Sequence, residues 1–223
     1  MLTENDIQNI LGGLAKDRPI FHFEADFQLG LAYGIEKWII EKTKQEQDTK
    51  RAVKIYLEYY FSDLSKKPTI DIIIEDRGNI SCAIELKYKT IYKDYGCPES
   101  NLVSFRLKNQ NDRNLGRYGF WKDIERLEEV AKNNNCIGYA IFLTNDCFYY
   151  DDEKNISTKN YDVDFKINPE RGMVVGPCNL RWKGKSEYYK EIELKGTYNL
   201  NSWKPYAEKG NEFQYLLLKI SLA

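Results

Sequence analysis

The feature that most constrains this chain is a pair of β-forming runs in its middle, TIDIIIED at 69–76 and ISCAIELKYKT at 80–90, separated by Arg77, Gly78 and Asn79. Two runs this rich in β-branched residues, split by a short Gly-Asn turn, fold back on each other as a hairpin. The register of that hairpin decides which side chains share a face. With a three-residue loop, Arg77 to Asn79, Asp76 pairs with Ile80 and Asp71 stands opposite Glu85. One face then carries Ile70, Ile72, Ile74, Cys82, Ile84 and Leu86, and the other carries Asp71, Ile73, Glu75, Ser81, Ala83, Glu85 and Lys87. A two-residue loop puts Asp71 opposite Ile84 and mixes the faces. The clean sorting favours the longer loop, with Gly78 or Asn79 in the left-handed conformation such a turn needs.

Around the hairpin the pattern alternates between helical and β periods. Thr3 with Asp6 three residues on resembles a capping box, and Ile7, Ile10, Leu11 and Leu14 keep helical spacing behind it. A second helix is expected over Glu24–Lys42, with Phe27, Leu31, Ile35, Trp38 and Ile39 as its buried stripe. Residues Val53–Phe61 alternate strictly, as a strand does. After the hairpin come a helix at about Arg117–Lys132, with Phe120, Ile124, Leu127 and Ala131 inward, and a nearly continuous apolar strand, Ile137–Asn145. Strand, helix and apolar strand suggest a crossover onto one sheet. Weaker β-like runs follow at 172–175, 191–198 and 213–222, after a polar stretch at 151–169.

With 223 residues, 42% hydrophobic, one core-bearing domain over 1–223 is expected, its core at about 20–146 and extra strands and loops at 147–223. No apolar run reaches the ~20 residues of a membrane span. The opening MLTENDIQNI lacks a signal peptide's basic start and apolar centre. The five cysteines, Cys82, Cys97, Cys136, Cys147 and Cys178, are never spaced as CxxC. They read as free thiols of a cytoplasmic protein and show no zinc site. The single histidine, His22, excludes most histidine chemistry and reads as structural.

A net charge of −1 means that any nucleic-acid surface must be local. The segment Ser104–Lys122 qualifies: Arg106, Lys108, Arg113, Arg117 and Lys122 face one acid, Asp112, a local charge of +4, with Tyr118, Phe120 and Trp121 among them. The basic groups could meet phosphates, Arg113 and Arg117 in particular, and the rings could stack on bases. A solvated loop leading into a helix is the other reading. On the helix, Asp123, Glu125, Glu128 and Glu129 read as a solvated face.

The hairpin carries the chemistry. Two carboxylates meeting on one sheet face repel each other, and burying them is costly unless a cation joins them. An oxygen-only ligand pair suits Mg²⁺ or Mn²⁺. Such an ion polarises a phosphoryl oxygen and lowers the pKa of a water, and Lys87 can hold that water or stabilise charge on the phosphate. An ordinary exposed Glu-x-Lys pair is the bland alternative for Glu85 and Lys87.

Asp71, followed on the next strand by Glu85-Leu86-Lys87, resembles the signature of the PD-(D/E)XK, or restriction-endonuclease-like, nucleases. The element order over about 20–146 also follows that family's core of helix, three antiparallel strands, helix and strand. Pro68 departs from the motif by standing three residues before Asp71. The resemblance implies an α/β fold: a central mixed β-sheet flanked by helices (αβββαβ), with additional C-terminal β-strands. It implies that Asp71, Glu85 and the backbone carbonyl of Leu86 bind Mg²⁺ (or Mn²⁺), with Glu24 as an outer contact and Lys87 serving the water. Gln28 and Arg126 fit the family's polar helix positions, toward substrate. The expected activity is metal-dependent hydrolysis of phosphodiester bonds in nucleic acid, DNA first, by a protein with no membrane partner, for which a homodimer is compatible. Two readings stay open beside it: a nuclease-like module that binds nucleic acid without cutting, and a protein-interaction scaffold.

Overall fold

The structure is a computed structural model that describes residues 2–46, 52–62, 64, 69–95, 105–110, 112–151, 160–169, 172, 174–183, 189–207 and 212–221. Helix α1 (Glu4–Asp17) starts at a capping box in which Thr3 and Asp6 each accept the other's backbone N–H. Helix α2 (Glu24–Glu46) follows, then strands β1 (Val53–Tyr60), β2 (Thr69–Asp76) and β3 (Asn79–Lys89). A small ribbon, β4 (Lys93–Tyr95) with β5 (Phe105–Leu107), leads to helix α3 (Arg113–Asn134) and strand β6 (Ile137–Thr144). The remaining strands are β7 (Val174–Val175), β8 (Cys178–Leu180), β9 (Ile192–Leu194), β10 (Tyr198–Asn199), β11 (Lys204–Pro205) and β12 (Gln214–Ile220).

Six strands form one mixed sheet in the order β1-β2-β3-β6-β12-β11. Strands β3 and β6 are parallel, joined through α3, and all other neighbours in this sheet are antiparallel. The protein is thus α/β with a central mixed sheet flanked by helices. Helices α1 and α2 cover one face, where Phe27, Leu31 and Ile35 meet Ile72, Ile74, Ile84 and Leu86. Helix α3 covers the other, where Phe120, Ile124, Leu127 and Ala131 meet Ile73, Ala83, Ala140 and Phe142. No described helix is long and apolar enough to cross a membrane.

The C-terminal third contributes more than decoration. Strand β12 extends the central sheet beyond β6, and the β8–β9 hairpin lies across the outer side of α3. This overturns the reading of Glu125 and Glu128 as a solvated face, and Asp123, also buried, faces β3 instead. Glu128 is buried and accepts the N–H groups of Lys195 and Gly196 and the hydroxyl of Tyr198, while Glu125 accepts the N–H of Glu193. The acids satisfy backbone donors of a segment that packs on the helix. Only Glu129 of the four is exposed.

The hairpin turn holds two residues, not three. Asp76 pairs with Asn79, and Arg77 (φ 54°) and Gly78 (φ 81°) are both left-handed, as the tightest hairpin turns require. By itself this turn would bring Asp71 opposite Ile84. A bulge at Ser81 takes up the extra residue, so Ile74 pairs with Cys82 and Ile72 with Ile84. The ladder thus reaches Ile72–Ile84 in the register expected for the longer loop, and Asp71 and Glu85 are the next residues beyond that last pair. One residue departs from the expected sorting: Ile70 packs with Phe61 on the α3 side, not with Ile72 and Ile74. The strands are irregular here, because Glu58, opposite Asp71, is left-handed (φ 50°) and drops out of the ladder.

Where α3 approaches β3, Gly116 leaves room for two side chains. A Cβ there would stand 2.5 Å from Tyr149 Oη and 3.4 Å from Lys89 Cε. Gly116→Ala would ordinarily stabilise a helix by ~0.5–1 kcal/mol. Here it should instead cost about 1–3 kcal/mol through overpacking. Tyr149→Phe removes the clashing oxygen, which has no hydrogen-bond partner among the described residues, and should restore most of the loss in the double variant. Denaturant unfolding of the three variants checks this; a Gly116→Ala protein as stable as its parent would refute it.

Candidate active site

The ladder between β2 and β3 ends at Ile72–Ile84, while β3 runs on beside β6 to Lys89. Beyond that point the N–H groups of β3 on the side toward β2 need other partners. Asp71 Oδ2 accepts the Leu86 N–H at 2.6 Å, and Glu24 Oε2, in the first turn of α2, accepts the Tyr88 N–H at 2.8 Å. The backbone carbonyl of Asp71, at the irregular position, is met by the Gln28 amide at 2.7 Å, which also reaches Glu58 Oε1 at 3.0 Å. The parting of two strands thus gathers Asp71 and Glu24 around the end of β3.

The face of β3 toward α3 supplies the rest. Glu85, Lys87 and Lys89 alternate with Leu86 and Tyr88, which enter the α2-side core. Opposite them, α3 presents Arg126, Asp123 and Gly116 at helical spacing. Arg126 donates to Glu85 Oε1 from Nη2 (2.5 Å) and Nε (2.8 Å), and to Asp123 Oδ1 from Nη2 (2.9 Å). Lys87 Nζ lies 2.7 Å from Asp123 Oδ2. The four side chains are 1–14% exposed, so their charges act on one another through little solvent.

The electrostatics follow from that burial. Burial pushes the Glu85 carboxyl well above the usual carboxylate range; Asp123 and Asp71 add to the effect, and Arg126 opposes it. For Lys87 burial works against the charge, but Asp123, Glu24 and Asp71 outweigh it and hold the ammonium above its ordinary value. Three buried acids, Asp71, Glu85 and Asp123, face two cations, Lys87 and Arg126. Glu85 Oε2 is buried with no hydrogen-bond partner among the described residues. An orphaned carboxylate oxygen in a cluster with excess negative charge is what a divalent cation would satisfy. Among the described residues, no group of three or more His, Cys, Asp or Glu side chains is placed to hold an ion alone. An ion here would need backbone oxygen or water beside Asp71 and Glu85.

Several residues read from the sequence as substrate contacts are taken up by the fold instead. Arg117 is completely buried, donating to Asp162 Oδ2 (3.1 Å) and to the Phe148 carbonyl (2.9 Å). It is a structural cation, because α3 begins four residues earlier than expected and the turn at Asn160–Phe165 closes over it. Arg113 forms a two-point pair with Asp146 (2.7 and 3.1 Å) at the partly exposed start of the helix. Gln28 and Arg126 border the cluster, but both are buried and hold protein groups. Tyr118, Phe120 and Trp121 are core residues, so they do not stack on bases. Arg106, exposed, pairs with Asp94. Ser104 and Cys97 lie outside the described residues; Cys82, Cys136, Cys147 and Cys178 are free thiols. His22 is exposed. The residue that sequence reasoning missed is Asp123. Its signal was the i,i+3 spacing to Arg126 on the stripe of α3 that faces the sheet. Comparison of the chain with family models, with curated proteins and with solved structures returned no match.

Proposed function

We propose that this chain is a divalent-metal-dependent nuclease that hydrolyses phosphodiester bonds of DNA, built on a restriction-endonuclease-like αβββαβ core. The observation that carries the reading is the meeting of Asp71, Glu85 and Lys87 where β2 parts from β3, with one buried oxygen of Glu85 unmatched. Asp71, Glu85 and the Leu86 carbonyl would hold Mg²⁺ or Mn²⁺, with Glu24 as an outer contact. The ion would supply polarisation of a phosphoryl oxygen and a water acidified for attack. Lys87 would orient that water and stabilise negative charge on the phosphate, its ammonium kept charged by Asp123 and Glu24. Arg126 engages Oε1 of Glu85 and leaves Oε2 for the cation.

A second reading has its own observation. Asp71 and Glu24 cap N–H groups that β2 leaves open, and Arg126 and Lys87 already balance Glu85 and Asp123 in part. On that reading the cluster is architecture, in a domain that binds without cutting.

The test is to incubate the protein with linear and circular duplex DNA, single-stranded DNA and RNA, in Mn²⁺, Mg²⁺ or EDTA, alongside thermal melts in the same buffers. The nuclease reading expects cleavage only with metal, lost in Asp71→Ala and Glu85→Gln, and a melting midpoint raised by the ion. Neither cleavage nor a metal-dependent midpoint would leave the architectural reading standing alone.

A further inference from the structure

Strands β1 and β2 break step together beside the site. Side chains of a strand alternate between its two faces. Yet Tyr56 and Tyr59 of β1, three residues apart, both pack against the α3-side core, as do Ile70 and Ile73 of β2. Val53 and Ile55 of β1, and Ile72 and Ile74 of β2, keep to the α2 side. The ladder is paired at Leu57–Ile72 and again at Tyr59–Ile70, so the step falls on the two residues between, Glu58 and Asp71. Glu58 takes it up with a left-handed backbone (φ 50°), a conformation that glycine adopts readily and that a side chain penalises. Strain of this kind persists only where the surroundings hold it. Here the side chain of Glu58 is engaged: its Oε1 accepts from Gln28 Nε2 at 3.0 Å, and the same nitrogen donates to the Asp71 carbonyl at 2.7 Å. A carboxylate only accepts, so Glu58 obliges Gln28 to turn its NH₂ end toward the strands. Gln28 itself is buried, one turn after Glu24 on α2.

We propose that Glu58 and Gln28 are positioning residues of the site, which hold the backbone of Asp71 so that its carboxylate points along the sheet toward β3. In a regular strand that carboxylate would stand out from one face of the sheet. At the step it lies instead between the strands, where Oδ2 accepts the Leu86 N–H at 2.6 Å. The chain of bonds runs from the left-handed Glu58 through the Gln28 amide to the Asp71 carbonyl, and from the Asp71 carboxylate to β3. Its consequence for catalysis rests on the nuclease reading; the hydrogen bonds do not. Groups that orient a metal ligand from behind commonly matter by about 10–100-fold in metal affinity or activity. Gln28 and Glu58 would act in that way on Asp71, without touching substrate or metal.

The test compares the parent protein with Gln28→Met, Glu58→Gly and Glu58→Gln. Amide hydrogen exchange is followed by NMR in EDTA, Mn²⁺ affinity by calorimetry, and cleavage of DNA by steady-state kinetics in Mn²⁺. In Gln28→Met the Leu86 amide should exchange several-fold faster than in the parent, while amides of the β3–β6 ladder keep their parent rates. Mn²⁺ should bind about tenfold more weakly, and kcat should fall while KM for DNA stays near the parent's. Glu58→Gly keeps the left-handed step but removes the acceptor, and should show the same changes to a smaller degree. Glu58→Gln keeps an acceptor and should retain the parent's Leu86 protection and Mn²⁺ affinity. Unchanged Leu86 exchange in Gln28→Met, or an acceleration shared equally by the ladder, overturns the positioning role whether or not the parent cuts. Should Gln28→Met fail to fold, the same two outcomes in Glu58→Gly decide the matter. If Leu86 alone loses protection but the parent neither binds Mn²⁺ nor cuts DNA, the positioning of Asp71 stands and the nuclease reading falls.

Discussion

Replacing Lys87 by alanine is expected to reduce metal-dependent cleavage by about 10²–10³-fold, the usual cost of removing a group that stabilises transition-state charge. The variant will also be less stable, because Lys87 is largely enclosed and paired with Asp123 at 2.7 Å. Asp123 keeps Arg126 as a partner, so about 1–3 kcal/mol is the expected loss, in the range of one charged hydrogen bond. Two companions separate chemistry from folding. Leu86→Ala empties a position in the opposite core and should cost about 2–5 kcal/mol while lowering the rate of the folded protein less than Lys87→Ala does. Asp123→Asn keeps the lysine but removes its buried counter-charge, and should lower the rate less than Lys87→Ala does. Single-turnover cleavage well below each variant's melting midpoint reads the chemistry alone. Parent-like cutting by Lys87→Ala under those conditions would end the mechanism proposed for this site.

Arg126→Met is expected to produce the largest loss of stability. Its guanidinium is the only cation hydrogen-bonded to Glu85 among the described residues, and it also binds Asp123. Removing one partner of a buried ion pair leaves an uncompensated charge, at a cost of about 3–5 kcal/mol. For a chain of this size that lowers the melting midpoint by roughly 10 °C. A divalent cation should then stabilise the variant more than the parent, since the acids have lost their internal counter-charge. Glu85→Gln added to Arg126→Met should recover part of the loss. An Arg126→Met protein that melts like its parent would mean that Glu85 needs no cation, and the case for a metal at Oε2 would lose its footing.

Much of this architecture was legible locally. Period-2 alternation, the Gly-containing turn and helical stripes depend on neighbours a few residues apart, and they located α1, α2, the hairpin, the core of α3 and β6. The register of the hairpin as far as Ile72–Ile84 was legible too, although the assumed loop was wrong. A two-residue turn followed by a bulge at Ser81 reaches the same register as a three-residue turn, and a pattern of apolar faces cannot distinguish the two. What only the tertiary structure decided is the fate of the charges. Asp123, Glu128 and Arg117 look like surface residues in any local window, and each is buried because a segment 45 to 70 residues away, or a neighbouring strand, supplies its partner. Desolvation depends on what packs over a group, and no helical or strand period encodes that. The same holds for the parting of β2 from β3, which left N–H groups for Asp71 and Glu24 to satisfy. The residue types were written in the chain; whether each became a solvated charge, an internal counter-ion or an unmatched donor was set by the long-range packing that removed water around it.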